Sequence, residues 1–227
     1  NDSPHRGLAN NSVAYTEKPD SETFLEEWLS LVKSKSGERG IFNRVAACTQ
    51  AAKWGRRDRT LSYGTNPCSE IILRNKQFCN LTEVVVRAED NFNSLARKVR
   101  LASILGTIQS TLTDFQFLSE EWKKNTEEER LLGVSLTGVM DNPFLSGYER
   151  TEDTSLANGL EQLRDIARKT NEEFAAKLGI QPSVAITCVK PSGTVSQLVD
   201  SSSGIHSRHS AYYIRRIRID KKDPLYS

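Results

Sequence analysis

The sequence predicts an α/β fold, on two observations. Apolar residues recur every three or four positions over 24–32, 95–115 and 156–174, the spacing of helices with one buried face. Between and after these stretches lie short runs rich in β-branched residues, at 79–86 and 184–189. Helical and extended segments alternate along the chain instead of falling into separate blocks, which is the order of an α/β protein.

Each element has a local reason. Residues 1–20 are polar and rich in Asn, Ser and Asp, a loosely ordered lead-in from which Val13-Ala14-Tyr15 can enter a short strand. Ser21 is placed to cap a helix carried by Phe24, Leu25, Trp28, Leu29 and Val32. The charged stretch Lys33 to Arg39 stops it. Ile41 to Lys53 mixes apolar and small residues and reads as a short helix, followed by the basic loop Arg56-Arg57-Asp58-Arg59. Cys79 to Val86 reads as a strand. Asn91 can cap a long helix reaching about Phe117. Ser119-Glu120-Glu121 opens the next segment, Glu127 to Arg130 is expected to be solvated, and Leu131 to Met140 is apolar up to Asp141-Asn142-Pro143. A helix from about Thr154 to Leu178 is stopped by Gly179. Val184 to Val189 is expected to be a buried strand, Ser201 to His206 a loop, and Tyr212 to Ile219, alternating basic and apolar, a half-exposed strand.

With 227 residues the chain can bury a sizeable core, and it is expected to form one domain over 1–227. A net charge of +2 proposes neither nucleic acid nor a membrane as partner. No apolar run approaches the roughly 18–20 residues of a membrane span. The four cysteines, Cys48, Cys68, Cys79 and Cys188, contain no CxxC pair, which points to a reducing, cytoplasmic setting. The chain begins at Asn1 without Met, so a fragment or a split subunit is expected.

The chemistry concentrates in Gly64-Thr65-Asn66-Pro67-Cys68-Ser69-Glu70-Ile71. If this stretch is extended, Asn66, Cys68 and Glu70 point to one side. A carboxylate beside a thiol disfavours the thiolate, and no histidine is near in sequence to act as base. Thiol chemistry that needs no thiolate is one-electron chemistry. There, a thiyl radical takes hydrogen from carbon, a carboxylate takes a hydroxyl proton, and an amide holds the substrate. Pro191-Ser192-Gly193-Thr194-Val195-Ser196 follows a predicted strand. Gly193 can let a ligand approach the backbone, and the hydroxyls of Ser192, Thr194 and Ser196 can meet phosphate oxygens. By itself such a Ser/Gly/Thr loop is also an ordinary turn.

Asn66-Pro67-Cys68-Ser69-Glu70-Ile71 resembles the finger-loop motif of the ribonucleotide reductase large subunit, with the Pro typical of its adenosylcobalamin-dependent class. Cys79-Asn80-Leu81 resembles the segment carrying one redox cysteine, and Pro191 to Ser196 the substrate-phosphate loop. Ser203-Gly204-Ile205-His206 and the Tyr212 to Arg216 run resemble a downstream part of the monomeric, class II triphosphate reductases. The resemblance implies part of a ten-stranded α/β barrel with a central finger loop. It implies reduction of ribonucleotides to deoxyribonucleotides by a thiyl radical generated from adenosylcobalamin. Cys68 would abstract the ribose 3′ hydrogen, Glu70 would deprotonate the 3′ hydroxyl, and Asn66 would hold the sugar. Cys79 would be one of two reducing cysteines, and Ser192, Gly193, Thr194, Val195 and Ser196 would bind substrate phosphate. The implied partners are a ribonucleotide (di- or triphosphate), a deoxynucleotide effector, a thioredoxin-like or small-dithiol reductant, and a complementary N-terminal portion holding the second redox cysteine. Cys48 and Cys188 read as structural. The alternatives are a di-iron class catalytic subunit and a piece that acts only when assembled. Tyr212-Tyr213 and Arg215, Arg216 and Arg218 read as strand residues, and His206 and His209 lack spacing for a metal site.

Overall fold

The computed structural model describes residues 12–35, 40–53, 56–148 and 155–226. Its centre is a parallel ladder. Strand β5 (Asn80–Val85) pairs with β6 (Leu132–Thr137) in the register Asn80↔Leu132 to Val85↔Thr137. Residues 185–188 extend the ladder on the far side of β6. Leu132 N donates to Ala185 O at 2.9 Å, Val134 N to Ile186 O at 2.8 Å, and Cys188 N to Val134 O at 3.1 Å. The run expected to be a strand over 184–189 thus contributes one parallel bridge, Val134↔Thr187, and not a full strand.

Parallel neighbours need long crossovers, and helices provide them. Helices α3 (Phe92–Gln109) and α4 (Glu120–Glu129) lead from β5 to β6, and α5 (Leu156–Leu178) leads from β6 to 185–188. Side-chain alternation along the strands then separates two faces. Val84, Val86, Leu132, Val134 and Ile186 pack with Leu95, Val99 and Ala102 of α3 and Leu163 and Ala167 of α5 to form the core. The residues between them, Leu81, Glu83, Gly133 and Ser135, belong to the opposite face, over which the functional segments lie.

The N-terminal part is smaller. Strands β1 (Val13–Tyr15) and β2 (Ile41–Asn43) run parallel, joined by α1 (Ser21–Ser34). Helix α2 (Arg44–Ala52) follows directly. Strands β3 (Tyr63–Thr65) and β4 (Ile72–Arg74) form an antiparallel hairpin. No helix among the described residues is long and apolar enough to cross a membrane.

Several expectations are corrected. Asp20, not Ser21, caps α1, accepting from Thr23 N at 2.9 Å. Ile41 to Lys53 divides into β2 and α2 because the Asn43 side chain accepts from Ala46 N and starts the helix there. Asn91 caps α3 as expected, through a reciprocal bond with Ser94. The helix stops at Gln109, however, where the Ser110 and Thr111 hydroxyls take the carbonyls of Thr107 and Ile108. Tyr212 to Ile219 is exposed and forms no strand, since alternation without a pairing partner does not make one. The lead-in is ordered enough at Val13–Tyr15 to pair with β2, while residues 1–11 and most of the charged stop, 36–39, lie outside the described residues.

Candidate active site

The hairpin β3–β4 carries the Cys68 motif at its tip, and a buried ion pair fixes its root. Arg57 Nε and Nη2 reach the Glu129 carboxylate at 3.1 and 2.8 Å, with side chains only 4% and 8% exposed. Arg57 Nη1 donates to Ile72 O at 2.9 Å, and its guanidinium lies 4.6 Å from the Tyr63 ring centroid. Gln77 Nε2 donates to Glu129 Oε2 at 2.6 Å. The stretch expected to be solvated, Glu127 to Arg130, therefore contains one of the anchors of the site. Further out, Arg74 holds α4 through Glu128 and Asn125.

At the tip the chain turns instead of running extended. Asn66 N donates to Ile71 O at 3.4 Å, Ile71 N to Asn66 Oδ1 at 3.0 Å, and Ser69 N to Asn66 O at 3.0 Å. Ser69 takes φ 64, a left-handed turn position. Strand alternation therefore does not place Asn66, Cys68 and Glu70. Pro67 and the Ser69 turn lift Cys68 to an exposed position, whereas the Glu70 side chain is 4% exposed. Asn66 holds the turn closed. Just past the tip, Ile71 packs down onto the sheet at Gly133. A Cβ on Gly133 would lie 2.4 Å from Leu81 Cδ2, 3.0 Å from Cys188 Sγ and 3.2 Å from Ile71 Cδ1. The missing side chain is what lets the hairpin approach.

Glu70 meets Lys190, 120 residues away in sequence, with Lys190 Nζ 2.8 Å from Oε1. Burial pushes the Glu70 carboxyl up, but the Lys190 ammonium and the nearby Asn66 side chain outweigh it and hold the group below the usual carboxylate range. Burial draws the Lys190 ammonium down, and Glu70 overcomes this and raises it. Glu70 Oε2 is buried without a hydrogen-bond partner.

Lys190 leads directly into the Pro191 to Ser196 loop. Ser192 and Gly193 have φ 64 and 54, so the backbone turns sharply away from the sheet. The Ser192 hydroxyl donates to Glu83 Oε2 at 3.0 Å, and the Ser196 hydroxyl to Gly193 O at 2.9 Å. The first hydroxyl thus ties the loop to β5 and the second closes the turn within it. Thr194 and Val195 are exposed, and the space where a Gly193 Cβ would stand is open. Val195 begins the short helix α6 (Val195–Leu198).

Two more thiols lie beside Glu70. Burial first, and Glu70 second, push the Cys79 thiol up. The same causes, together with Cys79, push Cys188 up to about 12. Cys188, read from sequence as structural, thus shares the electrostatic surroundings of Cys79 and Glu70. Cys48 lies apart, its Sγ 3.6 Å from Leu61 O. Sequence reasoning also missed Lys190 and Glu83. A lysine directly before a Ser/Gly/Thr loop was the available signal for the first, and a charged residue inside a β-rich run for the second. His206 Nδ1 contacts Ser203 O at 3.1 Å and the His209 ring packs edge-on to Tyr213. Among the described residues no group of three or more His, Cys, Asp or Glu is set to hold a metal ion.

No protein-family model matches the chain. Curated relatives do. The chain is 32% identical to the adenosylcobalamin-dependent ribonucleoside-triphosphate reductase of Lacticaseibacillus paracasei, over 97% of this chain and 32% of that enzyme. It is 30% identical to the enzyme of the same name from Lactobacillus leichmannii, with the same shares. The chain thus spans about a third of the length of these relatives. Its fold matches a crystal structure of a B12-dependent, class II ribonucleotide reductase with a TM-score of 0.56 at 20% identity, over 86% of this chain and 34% of that one. Through 97% of its length the chain is therefore similar to the adenosylcobalamin-dependent ribonucleoside-triphosphate reductases.

Proposed function

We propose that the protein carrying this chain reduces ribonucleotides, as triphosphates, to 2′-deoxyribonucleotides, and that this chain supplies the thiol, the base and the phosphate loop. One observation carries the reading. The hairpin tip with Cys68 and Glu70 is pinned by Lys190 to the start of the Pro191 to Ser196 loop, in a chain that matches these reductases along 97% of its length. On this reading the two parallel strands and their crossover helices are part of the ten-stranded barrel, with β3–β4 as its finger.

Each residue then has a task. Cys68, exposed at the tip, becomes the thiyl radical that removes the 3′ hydrogen. Glu70, held ionised, takes the 3′ hydroxyl proton. The 2′ hydroxyl, protonated by a thiol, leaves as water. Asn66 keeps the tip closed and can offer its amide to the sugar. Cys79, kept protonated by burial and by Glu70, is suited to give up hydrogen. Together with a second cysteine it supplies two electrons and two protons and ends as a disulfide. The open rim Gly193 to Val195 is where phosphate oxygens meet the loop. A thioredoxin-like or small-dithiol reductant re-reduces the disulfide, and a deoxynucleotide effector acts on the whole protein. The fit to adenosylcobalamin rests on one feature, the open side of the Cys68 sulfur. When bound, the cofactor supplies the radical that converts this thiol to a thiyl.

The test is deoxynucleotide formation from ribonucleoside triphosphates by the protein at its natural length, with and without adenosylcobalamin. Turnover that requires the cofactor and disappears in Cys68→Ser is expected. Turnover that persists in Cys68→Ser overturns the catalytic assignment. Turnover indifferent to adenosylcobalamin assigns the protein to the di-iron class instead.

A further inference from the structure

Glu70 is a buried carboxylate with two unequal oxygens. Oε1 accepts from Lys190 Nζ at 2.8 Å, and Oε2 is buried with no hydrogen-bond partner among the described residues. An unpaired buried carboxylate oxygen is costly to keep, and such atoms in folded proteins mark strain or a place where a ligand completes the set.

Lys190 is itself tightly placed. Its backbone N donates to Ser135 Oγ on β6 at 2.9 Å. Its carbonyl sits so close to Gly204 that a Cβ there would be 2.6 Å from it. Ser203 Oγ then donates to Pro191 O at 2.6 Å. The lysine therefore stands on a fixed stretch of backbone between the hairpin tip and the Ser192 turn. The other ionisable groups around Glu70 do not substitute for it. Cys79 and Cys188 are both pushed up by burial and by Glu70, so they stay uncharged near neutrality. Cys68 is on the exposed tip, and Glu83 is engaged with Ser192. On the hairpin's other side, Arg56, Arg57, Arg164 and Arg168 line a cavity of about 350 Å³ whose wall Glu70 also joins. Arg57 is committed to Glu129, and Lys190 alone among the described cations bonds the Glu70 carboxylate.

We propose that Lys190 is the positioning residue of the general base: it clamps Oε1 of Glu70, so that Oε2 is the atom that takes the 3′ hydroxyl proton. The proposal rests on the reductase reading above. It adds a coupling that the motifs do not contain, because the clamp ties the base to the loop that meets the substrate's phosphates. A substrate that seats on Gly193 to Val195 holds the same backbone that aims Glu70, so phosphate binding and proton removal share one support. Proton transfer itself is conventional. The 3′ O–H bond breaks, its electron pair stays on oxygen, and the proton forms a new O–H bond at Oε2.

Two measurements test this on the protein at its natural length. The first needs no turnover. With δ-¹³C-glutamate labelling, and Glu70→Gln to assign the resonance, the Glu70 carboxyl is titrated in the wild type, Lys190→Met and Lys190→Arg. Lys190→Met is expected to move the midpoint upward and Lys190→Arg to leave it low. An unmoved midpoint in folded Lys190→Met overturns the clamp. The second is kinetic. Lys190→Met is expected to lower kcat roughly 10- to 100-fold with little change in KM, the loss of one charge-assisted hydrogen bond to the base. The deficit should shrink as pH rises, because alkali restores the ionised base, and Lys190→Arg should recover much of the rate. A deficit equal at every pH and untouched by arginine overturns the proposal. If the wild type makes no deoxynucleotide, the reductase reading and the base role of Oε2 both fall, while the carboxyl titration still decides whether Lys190 sets the state of Glu70.

Discussion

Replacing Arg57 with methionine removes the guanidinium that Glu129 was buried against. The pair is bidentate, at 3.1 and 2.8 Å, with side chains 4% and 8% exposed. Breaking one partner of such a pair costs about 3–5 kcal/mol, because the remaining charge is left in a poor solvent. Gln77 still donates to Glu129 Oε2 at 2.6 Å, which softens the loss. The Ile72 carbonyl loses its donor and the Tyr63 ring its cation, which deepens it. These contacts share atoms and do not add in full, so about 4 kcal/mol is expected. Urea denaturation followed by circular dichroism measures it. In the double replacement Arg57→Met with Glu129→Leu no charge is stranded, and most of the loss should return. A single-variant cost below about 1 kcal/mol, as for an exposed pair, would refute the claim that this ion pair roots the hairpin. So would a double variant no better than the single.

Other outcomes follow from the same contacts. Gly133→Ala puts a methyl against Leu81, Cys188 and Ile71. Denaturation should show a loss of about 1–3 kcal/mol, the usual cost of overpacking, together with weaker protection of Ile71 in hydrogen exchange. Both Glu70 and Asp90 have carboxyls held below the usual range: burial opposes this in each, and Lys190 with Asn66, or Lys98 with Ser94, prevails. Their stabilisation is complete above the ordinary carboxylate range and is lost as pH falls through the depressed folded values. Acid titration of stability should therefore be shallower in Glu70→Gln than in the wild type. Alkylation with iodoacetamide, followed by peptide mapping, should modify exposed Cys68 before the half-buried Cys79 and Cys188, whose thiols are pushed up.

Much of the architecture was legible in periodicity and caps. The stripe over 95–115 became α3 only as far as Gln109, that over 156–174 became α5, Asn91 caps the first, and Gly179, at φ 68, ends the second. What failed were inferences that need a partner. Glu129 looked solvated because a run of acids on a helix usually is, and its cation lies 72 residues away. The alternation of Asn66, Cys68 and Glu70 assumed a strand, whereas the left-handed Ser69 makes a turn that leaves the thiol exposed and the acid buried. Tyr212 to Ile219 had a strand's pattern and, among the described residues, no neighbouring strand to receive it. The motifs proposed where the chemistry lies, and the fold adds that Lys190 bonds the Glu70 carboxylate.

The clamp between residues 70 and 190 also has a temporal side. Parallel ladders with helical crossovers form through contacts between distant parts of the chain, and such contacts are slow to arise. As the polypeptide emerges from the ribosome, Cys68 and Glu70 are synthesised well before their counter-ion, which arrives 120 residues later. Until then the Glu70 carboxylate has no ammonium to meet, whereas the Cys68 thiol is exposed before and after. The contact between residues 70 and 190 therefore cannot form until at least 120 further residues have been made.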